Sequence, residues 1–154
     1  MIDSRYPGGE PVHRLLADSN ARVLHRILLS HGWPGYGLVG VEGAEAALRI
    51  ALDAEPVVFL RTLLRILDSA VRRGDAPQHY RALLLDRFCV REGLPQRYGT
   101  HVRPGADGGC EVWPVEDPVL LPVWRAEVGL PLLPSEPTTV RIAGALDGEP
   151  RILR

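Results

Sequence analysis

The chain contains no lysine: all 18 of its basic residues are arginine. That excludes Schiff-base chemistry on a lysine amine and the lysine of a phosphate-binding loop. It is the pattern expected of a G+C-rich bacterial genome, in which arginine codons are favoured over lysine codons. Cysteine is almost as scarce. Cys89 and Cys110 stand alone, too far apart for a metal knuckle or a redox pair, and they are expected as free thiols in a reducing cytosol. No apolar run exceeds four residues, far short of the roughly 18 of a membrane span. The opening Met1-Ile2-Asp3-Ser4-Arg5 has no apolar signal core. A cytoplasmic protein with no membrane association is the expectation. Charge of one sign is lacking too: a formal net charge of -1 creates no bulk field for nucleic acid, so no nucleic-acid partner is expected.

What is present reads as one helical domain. A 45% hydrophobic and 24% charged composition excludes a disordered chain. Residues 1–10 read as a flexible arm, 11–130 as a single helical domain, and 131–154 as a proline-containing linker and C-terminal extension. From Pro11 to Ser30, Val12, Leu15, Leu16, Val23, Ile27 and Leu28 recur at helical spacing. Asp18-Ser19-Asn20 leaves open whether this is one helix or two. His31-Gly32-Trp33-Pro34 ends it.

A glycine-rich loop over 35–40 precedes a second helix, about Glu42 to Asp53, with Ala44, Ala47, Leu48 and Ala51 facing inward. Pro56 opens a third helix carried to Gly74, and Asp75 caps a fourth that reaches about Glu92. After Gly93 the period changes to two. Gln96 to Arg103 and Cys110 to Val115, joined by a turn-rich Pro104 to Gly109, predict a β-hairpin over 96–115. A short helix from Glu116-Asp117-Pro118 through Val128 follows, and Val140 to Leu153 offers a small hairpin around Asp147-Gly148. The fold class is mainly α: an antiparallel or orthogonal array of about four to five helices with one β-hairpin.

The fourth helix carries the sharpest signal. Leu83-Leu84-Leu85-Asp86-Arg87-Phe88-Cys89-Val90 is apolar nearly all round, so Asp86 and Arg87 interrupt a buried helix. Each needs a partner from elsewhere in the fold. A structural ion-pair network and a tuned catalytic carboxylate both fit. His31 and Trp33 sit at a helix C-terminus, where a histidine is stabilised by the helix dipole and a tryptophan plugs a core. Gln96, Tyr98, Thr100 and His101 lie on the first hairpin strand, His101 opposite the face of Tyr98 and Thr100. Gly99 between them marks a bulge or a close approach. No HExxH, paired CxxC or Walker loop is present, so no metal and no cofactor are expected. Gly35-Tyr36-Gly37-Leu38-Val39-Gly40 has GxGxxG spacing, but no strand of a βαβ unit precedes it.

His31-Gly32-Trp33-Pro34, Leu38-Val39-Gly40, Gly43-Ala44, Asp86-Arg87, Glu92-Gly93, Pro95-Gln96, Tyr98-Gly99-Thr100, Pro114-Val115-Glu116-Asp117-Pro118 and Arg125 to Leu130 follow one another in order. This set resembles a bacterial family of uncharacterised proteins, domain of unknown function 6624, over about residues 18 to 133. The resemblance implies no reaction. It does imply three departures: Leu52-Asp53 stands where relatives commonly carry Gln-His, Leu85 where they carry Thr, and His101 where their YGTQ ends in Gln. A polar site rebuilt for a specialised biosynthetic activity is consistent with these changes, and so is loss of activity.

The leading functional expectation is a cofactor-independent enzyme acting on a small organic molecule by acid–base chemistry. Hydrolysis, isomerisation, dehydration or cyclisation would fit, and secondary metabolism is one setting. Asp86 would be the acid or base, or would orient one; His31 and His101 would be alternative proton carriers. Arg87 would bind an anionic group, with Trp33, Gln96, Tyr98 and Thr100 lining the site. The alternative is a non-catalytic interaction, immunity or regulatory protein in which the Asp-Arg pair is structural. Composition leaves the oligomeric state open.

Overall fold

The computed structural model describes residues 9–54, 57–105, 109–133 and 140–142. The chain divides into two compact units, Met1–Ala76 and Pro77–Arg154. The first holds α1 (Gly9–His31), α2 (Tyr36–Leu52) and α3 (Val57–Arg72). The second holds α4 (Gln78–Arg91), β1 (Val102–Pro104), β2 (Cys110–Val115), α5 (Leu121–Glu127) and β3 (Val140–Ile142). The protein is mainly α, with five helices and one antiparallel hairpin among the described residues.

In the first unit α1 runs unbroken through Asp18-Ser19-Asn20, all three of which are exposed. Polar residues on an outer helical face need no break in the helix. α1 packs on α2, and α2 on α3. Ala44, Ala47, Leu48 and Ala51 are the buried residues of α2, as their spacing predicts. On α3 the buried stripe is Leu60, Leu63, Leu67 and Ala70. Pro56 lies outside the described residues.

α2 begins earlier than expected, at Tyr36, and contains a break in helical geometry at Gly40 (φ 70, ψ -178). The early turn is helical because Asp75 caps it from far along the chain. The Tyr36 N–H donates to the Asp75 carbonyl at 2.9 Å, and the Gly37 N–H donates to Asp75 Oδ1 at 2.8 Å. Asp75 therefore does not cap α4, whose N-cap is Pro77.

In the second unit β1 pairs antiparallel with β2, Val102 opposite Val112 and Pro104 opposite Cys110. β3 adds to β2 in parallel, with a register shift between Val112 and Val115. That interval contains Pro114, which has no N–H to give the ladder. The predicted second hairpin around Asp147-Gly148 falls outside the described residues. Val112, Val115 and Leu121 form a buried apolar cluster with Leu133 against it. The expected hairpin is regular only in its outer part: Gln96 makes a single parallel bridge to Val115, and residues 97–101 form no strand.

Candidate functional site

Residues 97–100 leave strand geometry because the amides of Arg97, Tyr98 and Thr100 are claimed by one side chain. Asp86, on α4, has no exposed surface, and its carboxylate gathers the loop around itself. Oδ1 accepts the N–H of Arg97 at 2.9 Å and of Tyr98 at 3.1 Å. Oδ2 accepts the Tyr98 N–H at 3.2 Å, the Thr100 N–H at 3.0 Å and the Thr100 hydroxyl at 2.9 Å. Gly99 makes the tight path feasible with φ 63, a conformation L side chains avoid. A Cβ there would meet Leu121 at 3.4 Å, an ordinary contact, so the requirement for glycine is one of backbone conformation. Burial pushes the Asp86 carboxyl up from its ordinary value, while the backbone donors and the Thr100 hydroxyl pull it back down.

The loop's carbonyls face a second buried charge. Arg125, on α5, is 6% exposed. Its Nη1 donates to the Tyr98 carbonyl at 2.5 Å and more weakly to the Gly99 carbonyl at 3.4 Å, and its Nε donates to the Pro131 carbonyl at 2.7 Å. An anion thus holds the loop's N–H groups and a cation its C=O groups. Arg97 adds an outer tether: its guanidinium lies 4.3 Å from the Trp124 ring centroid and 3.5 Å from Glu116.

His101 is fixed at three points. Its N–H donates to Gln96 Oε1 at 3.0 Å, and its carbonyl accepts Gln96 Nε2 at 2.9 Å and the Trp113 N–H at 3.0 Å. Gln96 Nε2 also reaches the Trp113 carbonyl at 2.8 Å. Gln96 is wholly buried, and its amide stands in for the missing ladder bonds. The third point is the ring: Nδ1 lies 3.0 Å from Thr100 Oγ1. With Asp86 ionised, the one hydroxyl proton of Thr100 goes to Oδ2, and Nδ1 is then the donor and carries the ring proton. Nε2 then bears the lone pair; it has no hydrogen-bond partner among the described residues, and His101 as a whole is half-buried. Burial, helped by the field of Arg87, lowers the imidazole to about 4. Beside them Cys89 is pushed up to about 11 by burial and by the negative fields of Asp86 and Glu116, leaving an inert thiol.

Of the residues singled out by sequence, the second unit brings together Asp86, Gln96, Tyr98, Thr100 and His101, with Arg87 acting on His101 through its field. His31 and Trp33 belong to the first unit. His31 is exposed at the end of α1. Trp33 is 2% exposed, and its indole N–H has no partner among the described residues. Arg125 went unread as a site residue. Its signal was helical spacing: four residues after buried Leu121, it shares that apolar face. Two clefts in the first unit, one of about 320 Å³ between α1 and α3 lined by His25, Leu28, Val58 and Phe59, are not lined by these residues. Among the described residues no three His, Cys, Asp or Glu side chains cluster as metal ligands, and no helix is long and apolar enough to cross a membrane.

The profile of the family of unknown function DUF6624 matches residues 13–143. The chain belongs to that family. No curated protein and no solved structure matches it. The matched span takes in every side chain of the Asp86–His101 arrangement, so the arrangement is part of the family's domain in this chain.

Proposed function

We propose that the protein is a cofactor-independent enzyme that acts on a small organic molecule by acid–base chemistry at His101. The observation that carries this reading is the chain Asp86 Oδ2–Thr100 Oγ1–His101 Nδ1, at 2.9 and 3.0 Å, with Nε2 left uncommitted. A neutral imidazole on a fixed backbone can act as a general base, a weak one with its pKa lowered to about 4. Asp86 is a positioning residue, because both its oxygens are occupied and no substrate atom can reach them. Arg87, whose field bears on His101, favours an anionic group on the substrate. Isomerisation and gain or loss of water are the reaction classes a lone base of this kind serves.

The test is turnover of a small-molecule extract, followed by untargeted mass spectrometry with wild type and His101→Gln. Expected is at least one compound isomerised, hydrated or dehydrated by wild type and left alone by a His101→Gln protein of similar melting temperature. Equal turnover by both proteins, or none by wild type, removes the reading.

A second reading, a non-catalytic interaction protein, draws on another observation. Tyr36, Leu38, Val39 and Val41 are all exposed on one short stretch of the first unit, a concentration of apolar surface typical of contact sites. Co-purification of a partner that Leu38→Asp abolishes, with His101→Gln silent, would favour it.

A further inference from the structure

We propose that Asp86, Thr100 and His101 form a proton relay in which a proton received at His101 Nε2 comes to rest as a new O–H bond on the buried Asp86, the imidazole staying neutral. The proposal rests on the acid–base reading above and specifies where that site stores its proton. In the resting arrangement Asp86 is ionised, Thr100 donates to Oδ2, and Nδ1–H donates to Thr100 Oγ1. When Nε2 bonds an incoming proton, the Nδ1–H bond breaks and its proton passes to Thr100 Oγ1. The threonine's own proton passes to Asp86 Oδ2. One proton has entered, the ring has exchanged Nδ1–H for Nε2–H, and Thr100 is a hydroxyl before and after. The reverse sequence returns the proton to substrate.

Geometry permits this endpoint, and burial opposes an imidazolium. Both links are of ordinary hydrogen-bond length. Asp86 has no exposed surface, so His101 is its route to solvent protons through this chain. The charged and titratable neighbours divide the same way. From α4, Arg87 opposes a positive charge on His101, and Cys89 is a protonated thiol beside Asp86. From α5, Arg125 favours the ionised form of Asp86 and so returns the relay to rest. Glu116, beyond β2, acts on Cys89. Burial favours a neutral Asp86 over an anionic one, and a neutral ring over a charged one. The relay lets both be neutral at once.

The experiment is an acid titration of the full chain, read by 15N NMR of histidine and by infrared absorption of protonated carboxyl groups. Expected for wild type is Nδ1–H at neutral pH, replaced on acidification by Nε2–H, with a buried carboxylic acid band rising in step. Thr100→Val interrupts the relay, and its His101 should instead take a second proton and become an imidazolium. Thr100→Ser should behave as wild type and serves if the valine variant does not fold. The idea is overturned if wild-type His101 goes directly to imidazolium, if its resting tautomer is Nε2–H, or if Asp86 stays ionised throughout. None of these readouts uses turnover. A direct imidazolium combined with lost turnover in His101→Gln would therefore end the relay and leave the acid–base reading standing.

Discussion

A carboxylate sealed from water needs compensation, and Asp86 receives it from dipoles: three backbone amides and one hydroxyl. Asp86→Asn replaces one acceptor oxygen with an NH2 group facing donors. Unpaired buried donors then remain on both sides, and a loss of about 3–5 kcal/mol is expected, comparable to breaking a buried charge's partnership. Denaturant unfolding measures it, and a loss below 1 kcal/mol would show that the loop does not depend on the carboxylate. His101 adds a pH dependence. Its native pKa of about 4 lies below the ordinary 6.5, so between these values the unfolded chain binds the proton more readily than the folded one. Its contribution to stability is fully present above about pH 6.5 and declines as pH falls toward 4. Wild type should therefore lose more stability than His101→Gln across that window, in parallel thermal melts.

Among the elements, legibility followed the range of the interactions that shape them. The inward face of α2 was readable because helical spacing is local. The need of Asp86 for a partner was readable too, from the apolar helix around it. That the partner is the backbone of residues 97–100 was not, because amides carry no residue identity. The same blindness explains why the strand expected from Gln96 to Arg103 survives only from Val102. Asp75 is the parallel case, capping α2 instead of α4 through contacts 38 and more residues away in sequence. That cap makes Gly35 irreplaceable. A Cβ on it would overlap both the carboxyl and the carbonyl of Asp75, so Gly35→Ala should cost at least about 1–3 kcal/mol. A melting temperature equal to wild type would show that Asp75 can step aside.

For the molecule as a whole, the sequence disclosed a mainly helical chain with one hairpin and the family to which it belongs. Its division at Ala76 and Pro77 was not disclosed. The candidate residues were chosen as one set, yet His31 and Trp33 fall in the first unit and the others in the second. Single-sequence periodicity reports which face of a helix is buried but not against what.

The scarcity of cysteine has a practical sequel. Cys89 is half-buried with its thiol pushed up to about 11, whereas Cys110 is exposed opposite Pro104 in the hairpin. The thiolate is the reacting species, so a maleimide dye at neutral pH should attach once per folded chain, at Cys110, and twice only after denaturation. Intact-mass spectrometry counts the additions, and rapid double labelling of the native protein would contradict the burial of Cys89. The wild-type chain thereby carries its own fluorophore handle beside β1 and an internal gauge of opening around Asp86, with no engineered thiol.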